Sequence, residues 1–113
     1  MKILNQTKNT VLADKVQTAD SFLRRMQGLL GRSIFLPGEA LVITHCNSIH
    51  MVFMKFAIDV VFVDKKQEVV GVVSNIQPFA LSPVFWKASQ AIELPTGTIM
   101  RSETCLGDII QTE

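Results

Sequence analysis

Residues 45–64, HCNSIHMVFMKFAIDVVFVD, decide the fold of this 113-residue chain. Their second half is the longest apolar run, and Asp59 stands at the head of its most strand-like part. Apolar residues at consecutive positions are typical of a strand covered on both faces, so we predict a central strand over 56–63. The first half begins with a polar patch that contains both histidines, His45 and His50. A core strand and a candidate site therefore meet in this stretch.

The composition is that of one folded domain, 1–113. Hydrophobic residues make up 48% and charged residues 19%, which excludes disorder. Eleven basic and ten acidic residues give a net charge of +1, so no field exists to attract nucleic acid. No apolar run reaches the roughly 20 residues of a membrane span, and the start, MKILNQTKN, has no apolar signal region. We therefore expect a cytoplasmic protein without nucleic-acid partner or membrane span.

One main helix is predicted over about 20–31. Asp20 or Ser21 offers an N-cap, and the apolar residues that follow recur at the spacing of one helix face: Phe22, Met26, Leu29 and Leu30. Gly31 is a suitable C-terminal glycine. The helix is preceded by a predicted hairpin of two strands, 2–6 and 10–17.

The remaining chain predicts short strands separated by turns. Strand patterns cover 41–43, 56–63, 68–73, 89–94 and 109–111, and residues 64–67 close a hairpin between the second and third of these. Residues 75–87 contain two prolines and predict a long surface loop, whereas 98–105 predict one helical turn. The sum is an α+β domain with a small, mostly antiparallel, barrel-like sheet of six or seven short strands and one main helix.

Several segments together resemble the uncharacterised family catalogued as domain of unknown function 192. The matching pieces follow the family's order: Arg25, Gly28, Leu29, Leu30 and Arg32 in the helix, then IDVVFVD, IELPTG and Gly107-Asp108. The resemblance covers most of the chain from Arg25 onward. It implies a fold and names no activity.

One segment departs from that family pattern. Many members carry W-M-K-N-T before the acid-headed strand, and by spacing this falls on residues 50–54, where only Met51 matches. If the usual Lys and Asn contact a ligand, this protein lacks those contacts. Residues 45–54 are therefore where an activity particular to this protein is expected.

Cys46 and His50 suggest two kinds of chemistry. Imidazole next to a thiol can generate a nucleophilic thiolate, but an extended chain separates positions 46 and 50 by about 13 Å unless it turns at Asn47-Ser48. His45, Cys46, His50 and Cys105 contain the donor types of a zinc site, but adjacent strand residues point to opposite faces and the spacing matches no known motif. We predict inert, reduced cysteines, a hydrogen-bonded histidine and no metal.

Asp59 requires a partner, because burying an isolated carboxylate is costly. Arg25 or Arg32 would supply one as an ion pair between helix and strand. The alternative is that these arginines, with His50, Asp59 and Glu93, line a shallow pocket for an anionic or carboxylate-bearing ligand beneath loop 78–86. Glu93 and Asp108 otherwise read as strand-end or turn residues.

Binding is favoured over catalysis. The chain has no P-loop, GxGxxG, HExxH, GxSxG or EF-hand motif, and we predict no cofactor. Phe79, Phe85 and Trp86 in the long loop form either a partner-binding patch or part of the core. The leading prediction is a non-catalytic module for a small molecule or protein, and the alternative is a small hydrolase that uses His50, Cys46 and a carboxylate.

Overall fold

The computed structural model describes residues 1–20, 34–52 and 54–113. The strands run Ile3–Asn5 (β1), Thr10–Ala13 (β2), Lys15–Ala19 (β3), Glu39–Thr44 (β4), Ile58–Val63 (β5), Val69–Ile76 (β6), Gln90–Pro95 (β7) and Ile110–Thr112 (β8), with one short helix, Thr98–Ser102 (α1). The predicted main helix, with Arg25 and Arg32, lies outside the described residues. No helix among the described residues is long and apolar enough to cross a membrane.

The described strands form two sheets. One has the order β2-β1-β8 and the other β3-β4-β7-β5-β6, and every pairing is antiparallel except that of β3 with β4. The predicted α+β, sheet-dominated class is confirmed. The strands pack as two sheets and do not close into a barrel.

All six residues of β5 are buried, as predicted for a strand covered on both faces. Its side chains alternate between two apolar clusters. Val61 and Val63 join the three-stranded sheet on what we call the inner face, whereas Val60 and Phe62 pack on the outer face. The core therefore lies on both sides of the five-stranded sheet.

The predicted strand over 10–17 divides at Asp14, so this part of the prediction was wrong. The amides of Asp14 and Lys15 both donate to the carbonyl of Gly38, at 2.9 Å each. Beyond that point the chain leaves β1 and pairs with β4 in the other sheet. Gly38 has a positive φ of 88°, and a Cβ there would meet the Asp14 carboxylate at 2.7 Å. A sequence pattern of alternating residues does not reveal such a change of sheet.

The prediction of a loop over 75–87 was also partly wrong, because parts of this segment pair with other strands or segments. β6 continues to Ile76, and residues 79–85 pair with 47–51. In contrast, the hairpin at 64–67 forms as predicted, since Asp64 Oδ1 accepts the amides of Lys66 and Glu68 at 2.9 and 3.0 Å. The helical turn after Gly97 is α1.

A polar network joins β1 to the segment before β8. Asn5 donates to Asp108 Oδ2 at 2.9 Å, and Lys8 Nζ lies 2.9 Å from the same oxygen. Asp108 Oδ2 also accepts the amide of Cys105, as expected of an aspartate in a turn. Burial acts to raise the pKa of Asp108, but these hydrogen bonds outweigh it and lower the pKa from 3.8 to about 2.

Asp108→Asn should weaken the fold by about 2 kcal/mol near neutral pH, because the charged hydrogen bonds are lost. A carboxyl whose pKa is lowered by folding stabilises the native state above its unfolded pKa of 3.8, and this contribution fades as the pH falls to about 2. The difference between wild type and variant should therefore shrink over that range. Urea unfolding at a series of pH values measures it, and a difference independent of pH would contradict the prediction.

Candidate functional site

A two-stranded ribbon covers part of the outer face of the five-stranded sheet. We call it the covering ribbon, residues 47–51 paired with 79–85. Phe79 donates its amide to the Met51 carbonyl at 2.7 Å, Met51 to that of Ala80 at 2.9 Å, and Ser82 to that of Ile49 at 3.0 Å. His50 lies opposite Leu81 in the same pairing. The segment that departs from the family pattern thus lies against the predicted loop.

One side of the covering ribbon belongs to the core. Ile49 and Met51 are buried in the outer-face cluster. The ring of Phe85 packs on Phe62, with ring centroids 4.6 Å apart. Phe85 also occupies the space above Gly71, where a Cβ would lie 2.5 Å from the ring. The absence of a side chain at Gly71 therefore creates the seat for Phe85.

The other side of the covering ribbon is exposed and apolar. Phe79 is 66% exposed, Leu81 74% and, just beyond the pairing, Trp86 83%. Phe79 has a positive φ of 68°, which is uncommon for an aromatic residue. The sequence left open whether the aromatic residues of this loop belong to the core or to a partner-binding patch. Phe85 packs against the core, whereas Phe79 and Trp86 are exposed on the surface.

Glu93 lies inside β7, with no solvent exposure. Its partners in the sheet are Leu41 and Val60, both in the outer-face cluster. Directly paired residues project to the same face, so the Glu93 carboxylate lies on the outer face. The sequence suggested a strand-end residue, and the structure places it mid-strand.

Asp59 is on the opposite, inner face, next to its partner Leu94. Its Oδ1 accepts the amide of Asn75 at 2.8 Å and its Oδ2 accepts the amide of Ile99 at 3.0 Å. The first bond holds the irregular pairing of β5 with β6, and the second holds the first turn of α1. Asp59 therefore ties β6 and α1 to β5, whereas the ion pair with Arg25 or Arg32 that the sequence suggested involves residues outside the described part of the chain. The hydrogen-bond partners described for it are main-chain amides.

The sequence-predicted site residues are thus divided between two faces. Glu93 lies on the outer face and His50 in the ribbon that covers it, whereas Asp59 points away from both. Arg25 and Arg32 lie outside the described residues. One pocket cannot contain both carboxylates, because the sheet separates them.

The thiols are free and lie in different surroundings. Cys46 is half-buried and donates to the carbonyl of Ser48 at 3.0 Å, in the turn that ends β4. His50 Nδ1 accepts the amide of Val52 at 3.3 Å. Cys105 is exposed, and Lys8 Nζ lies 3.0 Å from its sulfur. Within 1–20, 34–52 and 54–113, no three His, Cys, Asp or Glu side chains are grouped so as to hold a metal ion.

A family model matches residues 3–112: domain of unknown function 192, described as "Uncharacterized ACR". The chain belongs to this family. It is 34% identical to the UPF0127 protein of Thermococcus sibiricus, over 98% of this chain and 74% of that protein. It is 37% identical to the UPF0127 protein of Thermococcus kodakarensis, over 96% and 71% respectively. These names state no activity.

One solved structure has a fold similar to that of this chain. It is a protein of unknown function from Novosphingobium aromaticivorans, with a TM-score of 0.79 and 16% identity over 98% of this chain and 82% of that one. At this identity the likeness concerns the fold alone.

Sequence reasoning missed two features of this family member: the covering ribbon and the orientation of Glu93. One signal was present for each. The alternation of buried Ile49 and Met51 with His50 is the period of a strand. Glu93 and Leu94 are neighbours in β7, so their side chains point to opposite faces of the sheet. Because Asp59 pairs with Leu94, Asp59 and Glu93 also lie on opposite faces once the register is known.

Asp59→Ala should lower the free energy of unfolding by about 3–5 kcal/mol, because two amides lose a buried charged acceptor. Denaturant unfolding followed by circular dichroism measures the loss. Asp64→Ala is the matched control: it also removes a carboxylate that accepts two amides, but in an exposed turn, and should cost about 1 kcal/mol. Equal losses at both positions would refute the central role of Asp59.

The two thiols should differ in reactivity. In the native protein an aromatic disulfide reagent should modify Cys105 quickly and Cys46 slowly, because Cys105 is exposed and Cys46 is half-buried. Cys105→Ser should remove the fast phase, and Cys46→Ser the slow phase. Rapid modification of Cys46 near neutral pH would instead favour the hydrolase alternative.

Proposed function

We propose that this protein is a non-catalytic module that binds a partner protein through the exposed side of its covering ribbon. One observation carries the proposal: Phe79, Leu81 and Trp86 are 66–83% exposed within eight residues of chain. Large apolar side chains that cluster on a surface are typical of interaction sites. Aromatic side chains also supply much of the binding energy in protein interfaces.

The shape of this surface favours a macromolecule. The cavity beside Trp86, lined also by Val70, Phe85 and Lys87, has a volume of about 280 Å³ and is wide open to solvent. A cavity this open would enclose little of a small ligand, whereas small-molecule sites usually bury most of the ligand surface. A surface of protruding side chains instead fits a complementary groove on another protein.

The charges of the flanking chain indicate the chemistry of the partner. Between residues 69 and 92 the only charged residue is Lys87, and between 45 and 58 the only one besides the histidines is Lys55; both lysines are exposed. A partner with carboxylates around an apolar groove would complement them. A second copy of this chain would bring lysine to lysine, so a different protein is the better partner.

We keep His50 and Glu93 as proposed binding residues. His50 lies opposite Leu81 in the covering ribbon, and Glu93 lies on the face of the sheet that the ribbon partly covers. The same proposal for Arg25, Arg32 and Asp59 has less support, since Asp59 already accepts two amides on the other face. The hydrolase alternative requires a thiolate at Cys46, whereas that thiol donates to Ser48. The two free thiols support the proposed cytoplasmic location.

The proposal is tested first by site-specific photo-crosslinking in the cells that produce the protein. A photoreactive residue at position 81 should yield one defined adduct. The same residue at position 100 is the control, because Met100 is 84% exposed but lies on α1. The proposal would be refuted if both positions gave the same adducts or if position 81 gave none. An adduct with a second copy of this chain would show that the partner is not a different, acidic protein.

The purified partner then provides the decisive measurement. Leu81→Ser and Trp86→Ser should each raise the Kd at least about 30-fold, which corresponds to the roughly 2 kcal/mol of an interface hot spot. Met100→Ser should leave the Kd unchanged. All three side chains are exposed, so the melting temperatures should stay close to that of the wild type. A Kd that is insensitive to Leu81 and Trp86 would exclude the covering ribbon as the binding surface.

A further inference from the structure

The last strand of the five-stranded sheet, β6, has a side that faces away from its neighbour. We call this side the β6 edge, residues 70–74. β6 ends the order β3-β4-β7-β5-β6, and β5 is its one neighbour in that sheet. Just before this edge, Val69 donates its amide to the Asp108 carbonyl at 2.8 Å, and its carbonyl accepts the amide of Gly107 at 2.9 Å. The side of β6 away from β5 therefore already bonds to main chain at its start.

Beyond Val69 the main chain of the β6 edge is open. Within the described part of the chain, no hydrogen bond joins the main chain of 70–74 to a residue outside the pairing of β5 with β6. That pairing is regular from Gly71 to Val73. In a regular strand the N–H and C=O groups of alternate residues point away from the neighbouring strand. The edge therefore presents groups that a further strand can bond.

The side chains of β6 do not oppose such pairing. Natural edge strands often carry charges or prolines that block the addition of another strand. The strand at the other edge of this sheet, β3, begins with Lys15, and its Gln17 and Thr18 are exposed. In contrast, β6 contains neither a charge nor a proline, and Val72 and Val73 are half-buried on its two faces. A strand added at the β6 edge would cover both valines.

A cavity on the outer face adjoins the same edge. It is the cavity of about 280 Å³ beside Trp86, and Val70 of β6 forms one of its walls. It is too open to enclose a free ligand, but a strand bonded to β6 would place a side chain in it, because neighbouring strands project side chains side by side. Val70, Phe85 and Trp86 favour an apolar side chain there. Lys87, the one charged residue of the lining, favours a nearby carboxylate.

We infer that the β6 edge binds an extended segment of the partner protein as an additional strand. An apolar side chain of that segment lies in the cavity beside Trp86, and a carboxylate of the segment meets Lys87. This inference rests on the proposed function, because it describes how the partner of the covering ribbon is held. A second copy of this chain is the poorer occupant, since its own β6 contains no carboxylate.

The two kinds of contact have different roles in strand addition. Main-chain hydrogen bonds supply affinity, and pockets for alternate side chains supply specificity. A segment of about five residues, at about 3.3 Å per residue, spans the β6 edge.

Selection from a display library of random peptides tests the inference without the natural partner. The protein should enrich peptides that have apolar residues at alternate positions and at least one Asp or Glu. An enriched sequence that matches residues 69–76 of this chain would instead assign the edge to a second copy and overturn the inference.

N-methylation of a selected peptide distinguishes strand addition from other modes of binding. Two forms are synthesised, each methylated at one of the two sets of alternate amides. One form should bind with a Kd at least about tenfold higher, because it lacks the donors that face β6, and the other should bind almost unchanged. Binding of the unmodified peptide should also slow the hydrogen exchange of main-chain amides in residues 70–74, which nuclear magnetic resonance measures.

Charge reversal tests the carboxylate contact. Lys87→Glu should raise the Kd of the selected peptide at least about tenfold. Lys2→Glu is the matched control, because Lys2 is also exposed but precedes β1 in the other sheet. The inference is overturned if no peptide is enriched, if the two methylated forms bind equally, or if Lys87→Glu binds as tightly as Lys2→Glu.

These outcomes separate the inference from the proposed function. A defined adduct at position 81 together with a failed selection would leave the proposed function in place and exclude strand addition. Peptides that bind the β6 edge, with no adduct at position 81, would support the edge and refute the covering ribbon as the binding surface.

Discussion

The structure depends on one buried carboxylate that is held by main-chain amides on two sides. Asp59 joins the irregular end of the β5–β6 pairing, at Asn75, to the first turn of α1, at Ile99. The Ile99 amide would otherwise lack a partner in the core, and the carboxylate would otherwise be an uncompensated charge. The three groups satisfy one another. This arrangement ties the end of β6 and the start of α1 to β5.

The register of β5 and β7 gives the five-stranded sheet two distinct faces. Because strand side chains alternate, Asp59 and Glu93 must lie on opposite faces when Val60 pairs with Glu93. The inner face carries the buried Asp59 carboxylate and packs against the second sheet. The outer face carries buried Glu93 and the covering ribbon. A single pocket that contained both acids would require a shift of one residue, which would also expose the core.

Much of the sheet could be predicted from the sequence, because β5, β6 and β7 have continuous or alternating apolar patterns between clear turns. That Asp59 needs a partner also followed from the cost of burying its charge. Its partners did not, since main-chain amides carry no signal in a sequence. The change of sheet at Asp14 and the pairing of 47–51 with 79–85 depend on contacts between distant segments, such as the bonds to Gly38. Local patterns do not record such contacts.

The packing of Phe85 above Gly71 has a consequence for which positions of this chain tolerate substitution. The ribbon is fastened to the sheet by a ring that points inward, so Phe79, Leu81 and Trp86 make little contribution to folding. Substitutions at these positions escape the stability threshold that restricts core residues. The exposed side of the covering ribbon can therefore vary in sequence while the scaffold beneath it stays the same.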